Sequence, residues 1–340
     1  MKELLGLALL LPLIDQAMRW SILPACCQVL IYLMLAQGLN LVVGYAGLLH
    51  LGYAAFFAVG AFSMAYLTSL QSPFELNWSF SVALPLAVAI TTAIGALLAW
   101  PTLKLRGDYL AIVTMGFGLM LDPLLRNYDD ATKAITGMGG IARPLPNFPN
   151  MAWYYLLLLG LLLCVGLSYR VRHSRLGRAL RALREDSVAA EACGISLAAV
   201  KLQVLVLAAS VAGLAGALYA SYLGTLNLAF PFDFNGSIMV LAMVILGGVG
   251  SIRGALVGGL ALGVLNLICI PKLIDAVQIH VQPWLARSLA GSPGLWSVLE
   301  PWLDLSKAQF LMFGLTLVLM MLWRPEGLIP EKPVAYAEAE

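Results

Sequence analysis

Arg172, Arg175, Arg178, Arg181 and Arg184 recur at every third position, and with Arg170 they place six of the chain's twenty basic residues within fifteen positions. A guanidinium stays charged at any physiological pH, so the chemistry on offer is charge-assisted hydrogen bonding and not proton transfer. Three uses fit such a run: a voltage-sensing helix, a loop that fixes orientation in a membrane, or a grip for a soluble, charged partner. The run ends in Glu185-Asp186 and has neither the length nor the hydrophobicity of a membrane crossing, which removes the first use. Leu176, Leu180 and Leu183 follow i, i+4, i+7, which lays one apolar stripe along a helix whose arginines spread around the rest. A small-residue helix, Ser187-Val-Ala-Ala-Glu-Ala-Cys193, comes next, ended by Gly194, a natural residue just past a helix C-terminus. Small side chains on a short helix permit insertion into a cleft of another protein.

Other reactive constellations are missing from the sequence. None of the seven lysines follows a glycine, so the phosphate-cradling G-x-x-x-x-G-K-[ST] loop does not occur. Neither H-E-x-x-H nor G-x-S-x-G occurs. The five cysteines (Cys26, Cys27, Cys164, Cys193, Cys269) form no C-x-x-C pair, and four of them sit in apolar runs. They read as packing residues, with neither disulfide nor metal expected. No chain of buried carboxylates or histidines suggests a proton relay, and no His/Asp/Glu cluster suggests a membrane-embedded enzyme.

The elements that position the arginines are membrane helices. Hydrophobic residues make up 61% of the 340, charged residues 11%, far from the composition of a soluble domain. The mean hydropathy is +0.89. Apolar runs predict helices near 4–16, 21–43, 48–70, 81–101, 108–125, 152–169, 200–222, 237–250, 254–274 and 308–323. The first and eighth are short for a bilayer and are expected to tilt, re-enter or pack inside the bundle. The first resembles a signal-peptide core but lacks a small-residue cleavage site, so a retained span is expected. Placing 170–199 in the cytoplasm puts thirteen basic residues inside and seven outside, with both termini cytoplasmic.

This topology makes 126–151 and 275–306 outer loops, the second carrying Trp284, Trp296 and Trp302 at the expected interface depth. Two glycine-rich segments, Gly44-Tyr-Ala-Gly47-Leu-Leu-His-Leu-Gly52 and Gly247-Gly-Val-Gly250-Ser-Ile-Arg-Gly254, are followed by further small residues at helical spacing. Such glycines serve close helix packing, or unwound backbone along a polar path. With the few polar groups at membrane depth they make Gly44, Gly47, His50, Gly52, Asp122, Gly247, Gly248 and Gly250 the candidate translocation path. Asp108 is expected at a cytoplasmic helix N-terminus, where the dipole favours it.

Val188-Ala-Ala190, followed after three residues by Gly194-Ile195, resembles the Glu-Ala-Ala-x-x-x-Gly coupling loop of ABC importer permeases, with Val188 in the glutamate's place. The wider chain resembles the branched-chain amino acid permeases of the LivM type. The matching blocks are Gly38-Leu-Asn-Leu-Val-Val-Gly-Tyr-Ala-Gly-Leu-Leu49, Leu105-Arg-Gly-Asp-Tyr-Leu-Ala-Ile-Val-Thr114 with Gly116-Phe-Gly118, and Arg178 to Asp186. Ile245-Leu-Gly-Gly-Val-Gly-Ser-Ile-Arg-Gly-Ala255 and Trp323-Arg-Pro-Glu-Gly-Leu328 complete the set. Leu119 and Asp122 stand where the family has a glutamate and a basic residue, and the Thr136-Gly-Met-Gly-Gly-Ile141 loop is shortened.

The resemblance implies an all-α integral membrane protein: one permease domain over 1–340, about ten spans (eight to ten), multi-pass in a bacterial inner membrane. It implies a second homologous permease subunit, two cytoplasmic ABC ATPases that bind the ATP, and a periplasmic solute-binding protein as partners. No cofactor of this chain's own and no nucleic acid are expected. Arg178, Arg181, Glu185, Asp186, Val188, Ala189, Ala190, Gly194 and Ile195 become the ATPase-coupling residues. The implied cargo is a branched-chain amino acid or similar small polar solute. Urea or short amides are the alternative, and an ion-coupled secondary transporter is the rival from another class.

Overall fold

The computed structural model describes residues 22–73, 76–103, 105, 108–127, 137–145, 148–227 and 232–276, with positions 12, 279, 314, 315, 318, 319, 322–324 and 327–330. Eight of the ten expected spans fall on these residues, and each is a helix. We number the helices α1 Leu23–Asn40, α2 Tyr53–Thr68, α3 Phe80–Thr102, α4 Asp108–Asn127, α5 Asn150–His173, α6 Arg175–Glu185, α7 Ser187–Ala192, α8 Leu197–Leu223, α9 Phe234–Gly247, α10 Ile252–Val264 and α11 Ile270–Ala276. A π-helical turn, Leu41–Tyr45, extends α1, and another, Leu265–Cys269, joins α10 to α11. Among the described residues six stretches are long and apolar enough to cross a membrane: Leu23–Tyr45, Phe80–Thr102, Tyr109–Asn127, Asn150–His173, Leu197–Leu223 and Ile252–Lys272. The expected span 4–16 and the loop 275–306 lie almost wholly outside the described residues, and of the expected span 308–323 only positions 314, 315, 318, 319, 322 and 323 are described, all helical.

Two of the eight are short. The 16 residues of α2 and the 14 of α9 reach about 24 and 21 Å at about 1.5 Å per residue, below the ~30 Å of a bilayer core. Both are apolar all round and buried on nearly every side, so they fill the bundle's interior while longer helices surround them. Small residues make this possible. Gly60 of α2 meets the backbone of Gly213 on α8, and Gly216 of α8 meets the backbone of Phe57 and Ala61. Backbones that close gain the dispersion contacts on which helix association in lipid depends. Tyr53 adds a bond from its hydroxyl to the Ala208 carbonyl, 3.0 Å.

The helices alternate in direction, which sorts the connections to two ends. One end holds the α1–α2 and α9–α10 connections, α6, α7 and residues 327–330. All six arginines of 170–184, with Lys201, Arg253 and Arg324, lie there. The other end carries Arg126, Arg143 and Lys272, and a two-stranded antiparallel ribbon pairing Met138–Gly139 with Thr225–Leu226. The shortened glycine motif therefore has a place: Gly139 accepts from Ser69 Oγ at 2.6 Å and donates to Gln71 Oε1 at 2.7 Å, stitching the described part of 126–151 to the chain just past α2.

Two sequence expectations need correction. Gly44 to Gly52 does not begin a span. It closes α1 and forms the connection to α2, because Gly47 adopts φ +66°, where a right-handed helix stops. The three-residue arginine period does not run along one helix either. Ser174 is extended and breaks the chain, leaving Arg172 on α5 and Arg175 to Arg184 on α6.

Candidate functional site

The α5–α6 corner is built by Ser174. Its Oγ donates to Val171 O (2.7 Å) and accepts from Gly177 N (3.2 Å), the N-cap of α6. Leu180 and Leu183 are buried beneath α6 and Leu176 is half-buried, as the i, i+4, i+7 stripe predicts. The arginines then divide. Arg178 is exposed, whereas Arg181 donates to Arg172 O (3.2 Å) and Gly177 O (3.3 Å) and holds the corner together. Arg184 reaches across to α1 and donates from Nη1 to Gly44 O at 2.6 Å. Its target lies in the π-helical turn, where carbonyls at a helix C-terminus attract a cation.

Glu185 is exposed, and Asp186 links two helices. Asp186 N bonds to Ala182 O, while Oδ1 accepts from Val188 N (2.7 Å) and Ala189 N (3.1 Å) and caps α7. Gly194 ends α7 at φ +83°, with Ile195 N bonded to Ala190 O at 3.1 Å. That pairing is a Schellman closure, and it folds Ile195 back onto the core. Only Ala190 of α7 is buried. Val188 (65% exposed), Ala189, Glu191 and Ala192 face outward, giving a small-residue surface on a firmly anchored base.

The path glycines converge beside that base. Gly44 is pressed against the backbone of Gly250, and Gly247 against that of Gly254, so the two glycine segments meet as a close-packed seam. Gly47 lies against the Arg184 side chain, and Gly52 against the backbone of Thr114 on α4. His50 is buried between Tyr53 and Phe56, with ring centroids 6.2 and 5.4 Å away, and lines a small cavity with Thr102, Thr114 and Phe117. Gly248 sits against Ile329 and Pro330. Asp122 does not join the cluster. It lies about 21 Å along α4 from Asp108, toward the opposite end, and its carboxylate pairs with Arg126 at 2.9 Å with both side chains nearly half exposed.

Two groups at the seam escape a reading by motif. Gln37 and Asn40, one helical turn apart on α1, are both buried. Asn40 Oδ1 accepts from Gly250 N (2.9 Å) and its Nδ2 donates to Ser251 O (3.4 Å), while Gln37 Nε2 donates to Ile252 O (3.0 Å). Asn40 thus satisfies Gly250 N, a donor the α9–α10 turn leaves without a helical partner, and the two amides add second bonds to the Ser251 and Ile252 carbonyls that open α10. Their signal was two amides at i, i+3 inside an apolar run. The second group is backbone alone: Leu328 N bonds to Leu246 O and Ile329 N to Gly247 O, both 2.9 Å, capping the last carbonyls of α9. This gives Leu328, the last residue of the Trp323 to Leu328 block, a structural role.

Comparison with known proteins places the chain in a family. The model of the family described as branched-chain amino acid transport system / permease component matches residues 21–292. The LivM high-affinity branched-chain amino acid transport system permease protein of Salmonella typhimurium is 35% identical over 328 residues, covering 88% of this chain and 68% of that protein. Its namesake in Escherichia coli K12 is 34% identical over the same length and coverage. The LivH permease protein of Escherichia coli K12 is 25% identical over 253 residues, covering 68% of this chain and 80% of its own. No solved structure matches the chain.

Proposed function

The chain belongs to the branched-chain amino acid transport permease family, and on that footing we propose that it is one of two membrane subunits of an ATP-driven importer. Its cargo is a branched-chain amino acid or similar small polar solute, delivered by a periplasmic binding protein. The second subunit is a homologous permease of the LivH kind, and two cytoplasmic ABC ATPases supply the energy. The basic end of the bundle faces the cytoplasm, as the positive-inside rule asks, and the chain crosses the inner membrane about ten times with both termini inside.

One observation carries the reading: α7 points outward from a base that is itself bonded to the glycine seam through Arg184 and Gly44. An ATPase that gripped Val188, Ala189 and Ala192 and moved with nucleotide would pull α6 as a lever. Leu180 and Leu183 hold the lever to the bundle, and Arg184 hands its motion to the π-helical turn of α1. From there Asn40 and Gln37 pass it to the α9–α10 turn. The seam then acts as the cytoplasmic gate, closed when its glycines touch. Glycine suits that task because the contact is backbone to backbone and small rotations separate it.

Arg178→Glu and Ala189→Trp test the docking part, since both positions are exposed and outside the seam. Copurification of the ATPases with the chain should fall strongly in each, with membrane insertion unchanged. ATPases that copurify normally with both variants would remove α6–α7 as the docking element.

A further inference from the structure

Beside the coupling element lies a groove of about 680 Å³, between α5, the start of α10 and residues 329–330. Leu162, Val165, Gly166, Tyr169 and Arg172 follow one another along a single face of α5 as its wall. The order along that face runs from aliphatic to aromatic to cationic. Leu162 to Arg172 spans about 15 Å, half the ~30 Å hydrocarbon thickness, so the wall covers one leaflet and ends at its headgroups. Tyr169, 59% exposed, sits where an aromatic ring meets the interface. Gly166 has nothing within 4 Å of the place a Cβ would take, which leaves the floor open. Across the groove stands Arg253, which is exposed, so two guanidinium groups flank the basic end of a slot that is otherwise apolar.

We infer that this groove binds an anionic phospholipid of the cytoplasmic leaflet, its phosphate between Arg172 and Arg253 and an acyl chain over Gly166. The inference rests on the membrane permease reading and its orientation, and adds a ligand distinct from the cargo. Charge complementarity selects the acidic headgroup, because cationic pockets between membrane helices on the cytoplasmic side attract anionic lipids. The leaflet-deep apolar wall selects a lipid over a soluble anion, which would leave Leu162 and Val165 without an occupant. The groove shares α5 with the α5–α6 corner, where Arg172 O holds Arg181, and residues 329–330 with the seam, where Ile329 N caps α9. A bound lipid would therefore brace the α5–α6 corner against the gate.

Native mass spectrometry of the detergent-solubilised full chain tests this directly, with dioleoyl phosphatidylglycerol, dioleoyl phosphatidylcholine or inorganic phosphate added. Phosphatidylglycerol should be retained and the other two not. Arg172→Gln with Arg253→Gln should weaken it about thirtyfold, the loss of two surface cations, whereas the paired Arg→Lys variants should keep it. Gly166→Phe fills the floor and should abolish it without removing a charge. Equal retention of both lipids, retention of phosphate alone, or unchanged phosphatidylglycerol binding in Gly166→Phe would each overturn the inference. None of these readouts depends on uptake, so failure here leaves the importer reading standing, and loss of uptake leaves the lipid result intact.

Discussion

Arg184 and Gly44 are 140 positions apart in sequence, yet the guanidinium of one donates to the carbonyl of the other at 2.6 Å. This bond joins the α6–α7 pair, whose second helix faces outward, to the glycine seam. A hydrogen bond from a charged donor is worth about 1.5–3 kcal/mol. Arg184→Met is therefore expected to lower uptake about tenfold or more while ATPases still copurify, and Arg184→Lys to recover part of it. Full uptake by Arg184→Met would mean that motion reaches the seam another way.

Asn40→Leu removes the acceptor for Gly250 N and the donor to Ser251 O without changing the chain's apolar character there. Ser251 O keeps its bond from Ala255 N, but leaving the buried Gly250 N–H without a partner costs about 2 kcal/mol. Thermal unfolding in detergent should shift down by about 5 °C. A variant that unfolds at the wild-type temperature would show that the amide clamp adds nothing to the seam.

Arg178 and Arg181 belong to one sequence period but should behave differently. Arg181→Gln loses its bonds to Arg172 O and Gly177 O, so it should lower thermal stability by about 1–2 kcal/mol. Arg178→Gln is a surface change and should stay within about 0.5 kcal/mol of wild type. Equal stability of the two variants in the same thermal scan would contradict the division of the arginines seen here.

Asp122 is set apart from the seam by its pairing with Arg126. An exposed i, i+4 ion pair contributes about 0.5 kcal/mol or less. Asp122→Asn should therefore change uptake less than about twofold. A large loss would return Asp122 to the path.

How much of this was legible in sequence depends on where the information lies. The eight helices were, because a run of some twenty apolar residues has few alternatives in a protein this hydrophobic. The leucine stripe and the Gly194 stop on α6 and α7 were too, since spacing and a left-handed residue are local properties. The start of α2 was not, because Gly44 to Gly52 has the composition of a span and only the φ of Gly47 ends it. The break at Ser174 was hidden by a regular arginine period, although a serine before a helix is a capping signal. Gln37 and Asn40 were averaged away within an apolar run. The contacts of Leu328 and Ile329 were beyond reach, since they pair backbone with backbone and leave no mark on side-chain chemistry.

Central to everything above is an ATP-driven gate rather than an ion-driven carrier. Uptake of a radiolabelled branched-chain amino acid into proteoliposomes holding the chain with its companion permease, ATPases and binding protein decides between them. Uptake should require ATP inside the vesicle and the binding protein outside, and should persist when ionophores collapse proton and sodium gradients. Uptake by the chain alone that follows an imposed ion gradient without ATP would contradict the account.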